Sequence, residues 1–161
     1  MYLLQQRHAS GRITGMMATL VLVLATMVTF SVANAPNASA ASACTSTRVD
    51  SEPLRSPSGA NSGIGRLELY YNSSTGNNCA MVVHTGASYG VAAQTYVSIV
   101  RCADTVWDGE CNETSGFDND GGNFSYYAGG VRVHAPNNCI STAGSIKWNG
   151  VYHTATIGGH C

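Results

Sequence analysis

Beyond the first forty residues, two groups of side chains are of types that do acid–base or metal chemistry. They are the four histidines His84, His134, His153 and His160, and the carboxylates Asp104, Asp108, Glu110, Glu113, Asp118 and Asp120. Histidine in a hydrolytic site needs a nucleophile held by its own local geometry. The chain has no G-x-S-x-G elbow and no cysteine expected to be free. Each histidine therefore reads as a strand-face or terminal residue, no catalytic residue is assigned, and no enzyme activity is expected. The stretch Asp118-Asn119-Asp120-Gly121-Gly122-Asn123 has the look of a calcium loop, but the twelfth position counted from Asp118 is Gly129, where an EF-hand loop needs glutamate. A calcium site of another kind, using Glu113 or Asp108, is the alternative. A Gly-Asp-Asn turn is the preferred reading, so no metal and no cofactor are expected.

The third reactive set is cysteine: Cys44, Cys79, Cys102, Cys111, Cys139 and Cys161. Zinc sites use closely spaced pairs, and the nearest two here, Cys102 and Cys111, are nine apart. An even number in a short exported chain reads as a disulfide framework. Six cysteines allow fifteen pairings, and spacing does not choose among them. The favoured set joins 102 to 111 across the acidic loop, with 79–139 and 44–161 tying distant segments.

Export is read from the start of the chain. Arg7, His8 and Arg12 precede an apolar run from Met16 to Phe30, and small residues follow to Ala40. This is the layout of a signal peptide, residues 1–40, with cleavage after Ala40 favoured among three A-x-A sites. The 121 residues from Ala41 to Cys161 suffice for one modest domain. That part carries six basic residues against nine acidic ones, a net of −3 with histidine neutral. No basic footprint for nucleic acid is present. After signal cleavage no membrane association is expected.

The elements that must position these groups are strands. Residues 41–65 are rich in Ser, Thr, Pro and Gly, with Leu54 nearly their only large apolar side chain, and read as an irregular N-terminal arm. Period-two alternation begins at Arg66: Leu67, Leu69 and Tyr71 face one way, Glu68 and Tyr70 the other. It resumes at Cys79–Val83 after an Asn-Ser-Ser-Thr-Gly turn. Further strands are expected at 95–101, 123–128, 130–135, 145–149 and 151–157, the last two joined by the Asn149-Gly150 turn. The expected fold of residues 66–161 is all-β, a small antiparallel β-sandwich or barrel stapled by up to three disulfides. Tyr126, Tyr127 and Trp148 are the aromatic residues considered for a carbohydrate or protein contact, although alternation assigns most of that surface to the core.

Several segments together resemble a known family. Gly65-x-Leu67-x-Leu69-Tyr70-Tyr71-Asn72, Asn78-Cys79, Tyr126-Tyr127-Ala128-Gly129, Val131-x-Val133, Cys139-Ile140 and Gly144-x-Ile146-x-Trp148 occur in this order. The set, spanning roughly residues 64–150, resembles small exported actinomycete proteins typified by spore-associated protein A. The chain departs from that pattern at Gly130, where proline is common, and in the cysteines around the 102–111 loop. The resemblance implies a secreted, non-enzymatic protein at the surface of mycelium or spores, bound to a protein partner or a cell-surface polymer. Two alternatives use the arm. In one, an adaptor subunit of a larger secreted complex, such as a toxin particle, inserts it into a partner by strand addition, with Arg48, Leu54 and Arg55 as contacts. In the other, a proteinase inhibitor presents Arg48 or Arg55 to a trypsin-like cleft.

Overall fold

Alternation of inward apolar and outward polar residues, together with main-chain ladders where the sequence is polar, produces eight strands in the computed structural model, which describes residues 43–112 and 114–161. The segment read as a signal peptide, 1–40, and Glu113 lie outside the described residues. The strands are β1 (Thr47–Arg55), β2 (Asn61–Asn72), β3 (Asn77–His84), β4 (Ala93–Cys102), β5 (Thr114–Phe124), β6 (Tyr127–His134), β7 (Ile140–Trp148) and β8 (Val151–Gly159). A single 3-10 turn, Gly86–Ser88, lies between β3 and β4. All ladders are antiparallel, in the order β5-β4-β7-β8-β1-β2-β3-β6.

The sheet curls into a nearly closed barrel. Inward side chains fill it: Leu54 from β1, Leu67 and Leu69 from β2, Val82 from β3, Val97 and Ile99 from β4, Ile146 from β7. Each of these is fully buried. The two end strands, β5 and β6, meet through side chains. An Asp118 carboxylate oxygen accepts the Arg132 backbone N–H at 2.8 Å, and an Asp120 oxygen accepts that of Gly129 at 2.8 Å. Two carboxylates thus stand in for part of a backbone ladder. At the Asn149-Gly150 turn both residues have positive φ, 50° and 82°, the conformation that matches the twist of the flanking strands.

Four expectations need correction. Residues 41–65 are not an irregular arm: β1 runs through them and pairs with β2 from Thr47↔Tyr71 to Arg55↔Asn61. Main-chain bonds make this strand, and irregularities on either side of Val49 and Leu54 hide its alternation. The segment 118–123 is not a turn but the middle of β5, held by the β4 ladder. The strand expected at 123–128 breaks at Ser125-Tyr126, where β5 ends and β6 begins.

The fourth correction is to the disulfides, which are Cys44–Cys79, Cys102–Cys111 and Cys139–Cys161. The 102–111 bridge is as expected; 79–139 and 44–161 do not form. Register explains both. The rung Ile140↔Gly159 brings the residues just outside β7 and β8 together at one hairpin end. The rungs Thr47↔Tyr71 and Tyr70↔Cys79 carry the chain before β1 over β3. The three bridges fit an oxidising, extracellular compartment. Among the described residues no helix is long and apolar enough to cross a membrane.

Candidate functional site

The histidines are dispersed. His84 lies inside the barrel, its Nδ1 3.1 Å from the Ser88 carbonyl oxygen and its Nε2 2.7 Å from Thr95 Oγ1. Burial lowers its pKa against a smaller opposing effect of the Ser88 bond. The neutral ring donates from Nδ1 and accepts the Thr95 hydroxyl at Nε2. His160 pairs with Asp50 at 2.8 Å beside the C-terminus. His134 is exposed at the end of β6, and His153 lies partly buried on β8. Among the described residues no two of these rings share a hydrogen-bond partner, and no group of three or more His, Cys, Asp or Glu side chains is placed to hold a metal. Asp118 and Asp120 are engaged with β6, and an Asp104 oxygen accepts the Asn112 backbone N–H at 3.1 Å.

The three expected partner contacts are also accounted for by the fold. Leu54 is fully buried in the core. Arg48 reaches Glu68 Oε1 at 2.9 Å, and Arg55 donates to the Gly59 carbonyl at 3.1 Å. Of the aromatic residues considered for a contact, Tyr127 is buried and Trp148 packs against the core, leaving Tyr126 edge-on to Tyr89 at 5.1 Å.

The outer wall of β5, β4, β7 and β8 carries a different feature. Side chains on opposed residues of neighbouring strands share a face. Gly121, Tyr96, Ser145 and Thr154 therefore form one row across the four strands. Gln94 and Asn123 are opposed one pair further along, and Tyr152 is opposed to Lys147. The result is a shallow trough of about 530 Å³ lined by Gln94, Tyr96, Gly121, Asn123, Ser145 and Tyr152 among others. None of its lining residues is charged.

Gly121 gives the trough its shape. A Cβ there would lie 3.0 Å from Tyr96 Cδ2, so the Tyr96 ring leans across a strand that offers it no side chain. Tyr96 keeps 40% of its surface exposed and Tyr152 47%. The Tyr152 hydroxyl donates to Gln94 Oε1 at 3.2 Å, and the Lys147 ammonium sits 5.3 Å from the Tyr152 ring centroid. Strand spacing and rise separate the two tyrosine Cα atoms by about 12 Å. Between them stand amide and hydroxyl groups that both donate and accept hydrogen bonds.

A second outer cluster surrounds Glu68, the one buried carboxylate among the described residues, at 3% exposure. Its Oε1 accepts from Arg48 Nη1 and from Arg66 Nε, and its Oε2 from the Tyr70 hydroxyl at 2.5 Å. Burial raises its pKa, but the Tyr70 bond and the bonds and charge of the arginines outweigh that and hold it below its ordinary value. Burial and the adjacent carboxylate push Tyr70 up to about 12. Sequence reading placed Glu68 and Tyr70 on the face of this strand opposite Leu67 and Leu69 but assigned them no role.

Sequence reading also missed Tyr96 and Tyr152. The available signal was an outward aromatic on each of two expected strands, but the strand order that brings them to one wall is not local information. No family model, curated protein or solved structure matches the chain.

Proposed function

We propose that this chain is a secreted, non-enzymatic binding protein that holds an uncharged surface polysaccharide in the Tyr96–Tyr152 trough. One observation carries the reading: two half-exposed tyrosines flank an open trough whose lining residues carry amide and hydroxyl groups and no charge. Sugar rings offer apolar C–H faces and hydroxyl edges. Tyrosine supplies a rigid amphipathic ring for the first, and Gln94, Asn123 and Ser145 supply donors and acceptors for the second. The open form of the trough suits a long polymer whose ends need not enter it.

Three further observations support an extracellular setting: the three disulfides, the positive-apolar-small order of the first forty residues, and the resemblance to small exported actinomycete proteins. A surface polymer of mycelium or spores is the natural ligand on this reading. The adaptor reading, which gave residues 41–65 to a partner as a free arm, loses its premise because β1 belongs to the barrel wall. Arg48 and Arg55, the residues of the inhibitor reading, lie on the β1 strand rather than on a free loop, and each makes a hydrogen bond within the chain.

The test is sedimentation with insoluble chitin, cellulose and whole mycelium. Tyr96→Ala and Tyr152→Ala should each weaken binding by roughly 1–2 kcal/mol, about five- to thirty-fold, with little change in melting temperature. Variants that bind like the parent would place the ligand elsewhere.

A further inference from the structure

The Glu68 cluster holds more positive charge than its carboxylate needs. Tyr70 and one arginine would satisfy and neutralise Glu68, yet two guanidinium groups converge on the same oxygen. Each arginine carries five N–H donors, of which one from Arg48 and one from Arg66 go to Glu68. The remainder have no hydrogen-bond partner among the described residues, and both side chains stay about half exposed, 50% and 42%.

Register keeps the face free of competing acid. The rungs Arg48↔Tyr70, Ser51↔Glu68 and Pro53↔Arg66 put these residues on the outer face, whereas Asp50 and Glu52 are opposed to the inward Leu69 and Leu67. Cys79 and Arg132 extend the first row onto β3 and β6. Three of the six basic residues beyond position 40 therefore share one face with a single carboxylate, in a chain whose net charge is negative. Arg132 spends its donors on the carbonyls of Gly130 and Ala43. Arg48 and Arg66 each give one donor to Glu68 and keep the rest.

We infer that Arg48 and Arg66, held together by Glu68, form a receptor for a phosphate oxyanion on the outer wall of β1 and β2. Guanidinium forks match the oxygens of a phosphate, and convergent, pre-oriented forks lose little freedom on binding. Glu68 acts as a positioning residue: it fixes both arginines while leaving the group one positive charge in excess. The site is separate from the trough and does not depend on its ligand.

The experiment follows the arginine side-chain Nε–H signals of the intact, disulfide-bonded protein by NMR. The probes are inorganic phosphate and, in a second arm, a glycerol-phosphate polymer, each at low and at physiological salt. Saturable shifts at Arg48 and Arg66, with Arg101 still, are expected, and added salt should weaken them. Shifts with phosphate alone identify the free ion as ligand; shifts with the polymer as well identify a chain phosphodiester. Arg48→Gln leaves Glu68 with Arg66 and Tyr70 and should weaken phosphate binding about ten-fold, while Arg55→Gln changes nothing. No shift with either probe, equal shifts at every arginine, or undiminished binding by Arg48→Gln would overturn the assignment.

Discussion

Leu54→Ala tests whether residues 47–55 are wall or arm. Leu54 is fully buried, with Cδ1 3.0 Å from where a Cβ on Gly65 would lie, in a cluster shared with Ile64, Leu67 and Ile146. The substitution removes three carbons, about 2.4 kcal/mol of transfer free energy at ~0.8 kcal/mol each. The cavity left behind adds to that, because a barrel wall tied by ladders collapses only partly. A total near 3 kcal/mol lies within the range of about 2–5 for such core truncations. For a folded unit of roughly 120 residues the unfolding entropy is about 0.25 kcal/mol/K, so the melting temperature should fall by about 12 °C. The assay is thermal unfolding followed by circular dichroism with the disulfides intact. Val49→Ala, at a position 42% exposed on the same strand, is the control and should cost less than about 0.5 kcal/mol. A Leu54→Ala variant that melts within ~2 °C of the parent would refute the placement of β1 in the core.

Two further outcomes follow from the seam and from the buried carboxylate. Asp120→Ala should leave the Gly129 N–H without its acceptor, costing about 1–3 kcal/mol, and amide exchange at Gly129 should accelerate while the β2–β3 ladder stays protected; unchanged exchange there would show that the carboxylate does not close the barrel. Glu68 has a pKa below its unfolded value, so its contribution to stability is complete above about pH 4.5 and is lost as pH falls through the lower folded value. Tyr70, raised to about 12, contributes on the other side: its effect is complete below its ordinary value of 10 and disappears as pH rises towards 12. Denaturant midpoints against pH should therefore fall at both extremes in the parent, and Glu68→Gln should flatten the acid limb.

The all-β class is legible in the sequence alone, because alternation from Arg66 onward and the Asn149-Gly150 turn are local properties of neighbouring residues. The sequence also marks the cysteines as staples, and the pairing favoured from it included the one bridge, 102–111, that closes a short loop. It did not determine β1 or β5, because polar strands are held by main-chain ladders, and those depend on which strand lies alongside. Thr47 needs Tyr71, and Asp118 needs Ile99, at a distance along the chain that periodicity does not register.

The two outer-wall sites divide the same way. That Tyr96 and Tyr152 point outward was legible from alternation; that both stand on one wall depends on β7 lying between β4 and β8. Arg48, Arg66 and Glu68 were legible only as charges, and the Cys139–Cys161 bridge only as two thiols among six. Strand order and register fixed their meeting, because a side chain on a sheet finds its neighbours across the ladder and not along the chain.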